Sequence, residues 1–123
     1  MRFFSPLAAI AIVGLSVSAP AYAHPKLVSS APAANASVSA PSRITLTFSE
    51  GLMPRLSGAE IVMTGMPNHR MAVTGFKTSV EGDNKTLVLT LARPLSAGTY
   101  QVAWHVVSTD THRIQGNLAF TVK

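Results

Sequence analysis

The chain has 123 residues and no cysteine, so it holds one small domain with neither a disulfide framework nor a thiolate metal site. Ten Lys/Arg against five Asp/Glu give a net charge of +5. The basic residues are scattered singly, without runs or interleaved aromatics, which speaks against nucleic-acid binding; G-x-S-x-G, H-E-x-x-H and phosphate-cradling glycine loops are also missing.

Residues 1–23 read as a secretory signal. Arg2 supplies the positive start, Leu7 to Val17 a short apolar stretch, and Ala21-Tyr22-Ala23 a small-residue cleavage site. The apolar stretch falls short of the roughly 20 residues of a membrane span. Cleavage after Ala23 gives an exported, soluble domain, residues 24–123, that begins with His24. A terminal histidine presents an α-amine and an imidazole on one residue, a pair that can chelate a metal ion. Pro25 has no backbone N–H, so the next peptide nitrogen cannot join, and further ligands must come from elsewhere in the fold. The plainer alternative is that cleavage happens to leave a histidine.

Period-two patterning predicts strands at 26–30, 43–49, 59–64, 71–78, 86–92, 99–108 and 114–122. The first is followed by a Pro/Ala/Ser-rich connection over 31–42. In the second, Ile44, Leu46 and Phe48 share one buried face, and Glu50 at its end is either an oxygen donor or a plain exposed residue. Between the third and fourth strands, Met63-Thr64-Gly65-Met66-Pro67-Asn68-His69-Arg70-Met71 gathers three methionines and a histidine within nine residues. Methionine is usually adaptable core filler, but Gly65, Pro67 and Asn68 mark a surface loop. Thioethers around an imidazole suit a soft cation, above all Cu(I). Met71, as the first residue of its strand, could instead face the core, and Met53 reads as packing.

Leu87, Leu89 and Leu91 form the next inward face, followed by Tyr100, Val102, Trp104 and Val106. Leu95-Ser96-Ala97-Gly98-Thr99-Tyr100 fits a tyrosine corner, with the hydroxyl returning to the backbone. His105 lies on the opposite face and reads as an exposed sheet residue. Next come Ser108-Thr109-Asp110-Thr111-His112. Asp110 and His112 are two apart, so in extended backbone they share a side, and a carboxylate with an imidazole suits Cu(II) or Zn(II). A polar inter-strand turn explains the same residues without a metal. Seven short strands with turn residues between them predict an all-β, antiparallel Greek-key sandwich or barrel.

HPKLVSSAPA after the signal, LTFSEGL, GAEIVMTGMP, LSAGTYQVAWHVVSTDTH and the terminal GNLAFTVK together resemble the CopC family of periplasmic copper-binding proteins, over essentially the whole mature chain. The resemblance implies a cupredoxin-like or immunoglobulin-like β domain that carries copper in the periplasm and has no catalytic activity. Carried over, the Cu(II) site is His24 through its amine and imidazole, with Asp110 and His112; Glu50 matches a carboxylate near that site in some members. The Cu(I) site is a methionine-rich loop, matched by Met63, Met66, His69 and Met71. The sequence departs there, since the loop is shorter than in methionine-rich members and one methionine is missing. His105 has no counterpart among the family's ligands. Handover to an inner-membrane copper transporter or another periplasmic copper protein is the implied role, for a monomer. Two rival readings are a histidine-brace copper monooxygenase and a metal-free immunoglobulin-like interaction module.

Overall fold

In the computed structural model the described residues are 25–66 and 69–123, without the side chains of Met66 and His69. The expected signal, residues 1–23, and His24 lie outside them. The strands are β1 (Leu27–Ala31), β2 (Ser37–Val38), β3 (Arg43–Phe48), β4 (Gly58–Met66), β5 (His69–Ala72), β6 (Phe76–Glu81), β7 (Thr86–Leu91), β8 (Gly98–Val107) and β9 (Arg113–Val122), with a 3-10 turn at Pro54–Leu56. They form a four-stranded sheet, β1-β3-β7-β6, and a five-stranded sheet, β2-β9-β8-β4-β5. Among the described residues no helix is long and apolar enough to cross a membrane.

The alternation seen in the sequence becomes the core. Ile44, Leu46 and Phe48 of β3 and Leu87, Leu89 and Leu91 of β7 face Tyr100, Val102, Trp104 and Val106 of β8, and all are buried. The edge of Trp104 meets Phe48 at 5.1 Å between ring centroids and 67° between planes. Tyr100 stacks on Phe120 at 5.6 Å. The tyrosine corner forms as expected, with the Tyr100 hydroxyl donating to the Ser96 carbonyl at 2.6 Å. His105 is exposed. Trp104 lies over Gly116, its partner across β8 and β9. A Cβ at Gly116 would stand 2.4 Å from the indole, so only glycine leaves room for the ring.

Among the described residues nine strands replace the seven expected, for two reasons. The expected strand at 71–78 is two strands, β5 in one sheet and β6 in the other. The chain crosses between them at Gly75, whose φ of +78° is open to glycine at little cost. The 31–42 connection contains β2, which pairs parallel with Thr121 and Val122 of β9. The sandwich is therefore antiparallel except at this edge.

Candidate metal centre

β8 and β9 pair over their full length, from Gly98 with Val122 to Val107 with Arg113. Residues 108–112 close this hairpin. The Thr111 N–H donates to the Ser108 carbonyl at 2.8 Å, and the Ser108 N–H donates to the His112 carbonyl at 2.8 Å. This is a three-residue loop whose last residue is left-handed; Thr111 takes that place with φ of +72°. Ser108 is 1% exposed, so the turn grows from a buried base.

Three side chains are ordered on that base. The Ser108 hydroxyl donates to Asp110 Oδ1, and His112 Nδ1 lies 2.9 Å from Asp110 Oδ2. The hydroxyl, and after it the His112 contact, hold the Asp110 carboxyl down from 3.8 to about 2. Both favour the charged form. Asp110 is thus a carboxylate at any pH near neutrality. From the sequence alone Ser108 takes no separate role. The S-x-D spacing, which lets a serine or aspartate side chain bond within a turn, was the available signal.

The chain around Glu50 packs against this turn. The Thr109 N–H donates to the Gly51 carbonyl at 2.9 Å and the Met53 N–H to the Val107 carbonyl at 2.8 Å. Leu52, 1% exposed, forms a bridge with Ser108. Glu50, half-buried, therefore stands beside the Asp110 turn. The start of β1 reaches the same end of the sandwich. The Ser49 N–H donates to the Lys26 carbonyl at 2.9 Å, and the Lys26 N–H returns to Ser49 Oγ at 2.9 Å. Pro25 is buried. The residue before it, His24, lies outside the described residues. Among the described residues no three His, Cys, Asp or Glu side chains converge as a metal site.

The methionines of β4 and β5 occupy the other end. Met63 and Met71 are direct partners across β4 and β5, and so are Met66 and His69 in their backbones. The register slips between these pairs, three residues of β4 spanning two of β5, as in a β-bulge. Met63 packs partly against the core, with its methyl 2.5 Å from where a Gly98 Cβ would stand. Met71 lies on the same face of the sheet as its partner Met63 but stays 66% exposed, because β5 is an edge strand with no neighbour beyond it. Both thioether side chains line a hollow of about 610 Å³ shared with Arg93, Leu95 and Tyr100. The side chains of Met66 and His69 lie outside the described residues. Met63 pairs with Tyr100 on β8, seven residues from Val107. At ~3.3 Å per residue the two ends are about 23 Å apart.

Comparisons with known proteins agree with this architecture. The CopC domain family matches residues 27–123. Copper resistance protein C of Pseudomonas syringae pv. tomato is 52% identical over 112 residues, covering 89% of each chain. Copper resistance protein C of Xanthomonas campestris pv. juglandis is 51% identical over 108 residues, 86% of this chain and 85% of that one. The crystal structure of PcoC, a methionine-rich copper resistance protein from Escherichia coli, superposes with a TM-score of 0.75 at 50% identity, over 82% of this chain and all of that one.

Proposed function

Since this chain belongs to the CopC family, we propose that it is a periplasmic copper carrier, exported by its cleaved signal, that sequesters copper or hands it on. Cu(II) is held by the amine and imidazole of His24 with His112, and Asp110 and Glu50 supply carboxylate oxygen. The observation that carries this reading is the Asp110–His112 pair on its buried Ser108 base. With Nδ1 turned to the carboxylate, Nε2 is the nitrogen of His112 left for a metal, the arrangement by which carboxylates orient ligating histidines. The backbone pairing of Lys26 with Ser49 supports His24 approaching the same end.

Cu(I) is held at the far end by the thioethers of Met63 and Met71, joined by Met66 and His69. Soft donors favour the reduced ion, whereas nitrogen and oxygen donors favour Cu(II), so a change of oxidation state moves copper from one end to the other or on to a partner. An inner-membrane copper transporter or another periplasmic copper protein is the recipient. The chain works as a monomer, without catalysis and without nucleic acid.

The test is Cu(II) titration with electron paramagnetic resonance on a chain beginning at His24 and on one carrying an extra residue before it. The extra residue locks the amine in a peptide bond, so that chain should bind Cu(II) much more weakly. Equal affinity and identical spectra would remove the His24 amine from the site.

A further inference from the structure

We propose that the outer face of the five-stranded sheet, next to the 108–112 turn, is a docking surface for an acidic protein segment that presents carboxylates beside an apolar side chain. The surface begins with Val107. Alternation along β8 puts Val107 on the outer face, yet it is buried, because the Pro54–Leu56 turn folds across it. That turn is clamped to the strand: the Met53 N–H donates to the Val107 carbonyl at 2.8 Å, and the Val107 N–H donates to Ser57 Oγ at 3.2 Å. Arg55 and Leu56 therefore stand over the sheet on a fixed backbone.

Below them the register sets His105 beside Gln115 and Val107 beside Arg113. His105 also faces Gly58 across β4, where a Cβ would come within 3.2 Å of the imidazole; the glycine gives the ring space. The result is a hollow of about 420 Å³ lined by Arg55, Leu56, His105, Arg113 and Gln115. Among the described residues no carboxylate lines this hollow; Glu60 lines the adjoining hollow, which shares His105 and Gln115, on the side away from Arg55 and Arg113. Arg43 pairs with Glu81 and Arg70 with Gln101. The guanidiniums of Arg55 and Arg113 have no hydrogen-bond or ion-pair partner among the described residues.

Two unpaired guanidiniums and an imidazole complement carboxylates, and arginine forks match them with two parallel bonds. Leu56, 46% exposed at the rim, favours a protein segment over a free oxyanion, which would leave it in water. Arginine is also among the residues enriched at the centres of protein interfaces. Arg113 directly follows His112, so a partner seated here lies against the turn proposed to hold Cu(II). That last step rests on the copper reading; the surface itself does not.

The test titrates the copper-free mature chain, observed by amide chemical shifts, with a capped acidic peptide of sequence DELED, its neutral twin NQLQN, and inorganic phosphate. DELED should shift Arg55, His105, Arg113 and Gln115. Replacing Arg55→Gln with Arg113→Gln should weaken it at least tenfold, Leu56→Ser should weaken it less, and Arg43→Gln on the other sheet should change nothing. Absence of shifts at these residues, equal binding of NQLQN, the same shifts and affinity with phosphate, or equal weakening by Arg43→Gln overturns the surface. Cu(II) titration of the same samples separates the two readings. A chain that takes up Cu(II) but ignores DELED sinks the surface alone, and one that binds DELED here but takes up no Cu(II) sinks the copper reading alone.

Discussion

His112 Nδ1 lies 2.9 Å from Asp110 Oδ2, at the tip of the hairpin formed by the two longest strands of the sandwich. A histidine at a hairpin tip is ordinarily free to rotate. Here one carboxylate oxygen faces its ring while the other is held by the hydroxyl of a buried serine, so the ring's orientation is passed down to the core.

This chain of contacts predicts a graded loss. Asp110→Asn keeps the shape but removes both the charge that orients the imidazole and a carboxylate donor, and Cu(II) affinity should fall by at least the roughly 10–100-fold usual for losing an orienting partner alone. Ser108→Ala removes only the hydroxyl and should cost less. It should also raise the Asp110 pKa from about 2 towards its ordinary 3.8, since that hydroxyl is the largest cause of the depression. Metal titration and carboxyl NMR titration measure the two effects. A Ser108→Ala protein with an unmoved Asp110 pKa would show that the hydroxyl does not hold the carboxylate.

The depressed pKa fixes the pH behaviour. Because the folded value of about 2 lies below the ordinary 3.8, Asp110 favours the folded state fully above pH 3.8, and that contribution disappears as pH falls towards 2. Asp110 therefore stays charged through the range in which copper proteins are studied. The terminal amine, with an ordinary pKa of about 7.7–8.0, and the imidazoles must shed protons to bind metal. Cu(II) affinity should fall steadily from pH 8 to pH 5. Asp110→Asn should lower the whole curve without changing its slope there, and an affinity flat over this range would exclude amine and imidazole ligation.

Much of this was legible in the residues, and the failures have physical causes. Ile44, Leu46 and Phe48, and Tyr100 through Val106, showed their buried face because β side chains alternate. Tyr100 announced its corner through the Leu95–Thr99 turn before it. β5 and β6 were merged because their apolar pattern continues past Gly75, and only the positive φ there reveals the change of sheet. β2 was missed because two residues carry no periodicity; its strand character comes from pairing with Thr121 and Val122. The ligand types at Asp110 and His112 were readable, and the S-x-D spacing points to a side-chain bond within the turn, but nothing in the sequence shows that Ser108 is buried. Met71 was open to a core assignment because nothing local to the sequence says that β5 forms an edge.

Thr111 carries a cost that the fold tolerates. A β-branched residue at φ of +72° sits where glycine or asparagine is favoured, at a penalty of about 1–2 kcal/mol. Glycine relieves that strain but gives back part of the gain as chain entropy. Thr111→Gly should therefore stabilise the domain by about 1 kcal/mol, seen as a higher urea midpoint at unchanged slope. A lower midpoint would mean that the threonine side chain contributes more to the turn than its backbone costs.

The two ends of the sandwich should be separable by mutation. Met63 and Met71 face each other across β4 and β5, about 23 Å from the 108–112 turn at ~3.3 Å per strand residue. Met63→Leu with Met71→Leu removes both sulfurs while nearly conserving volume, a change that usually costs less than about 1.5 kcal/mol. Most of that cost falls on Met63, which packs against the core, because Met71 is largely in solvent. The double variant should stay folded, keep its Cu(II) affinity and lose Cu(I) affinity by at least tenfold in an anaerobic competition titration. Retention of Cu(I) would place the soft site on donors other than this pair. Loss of both ions together would mean that one shared site, rather than two, binds copper in either oxidation state.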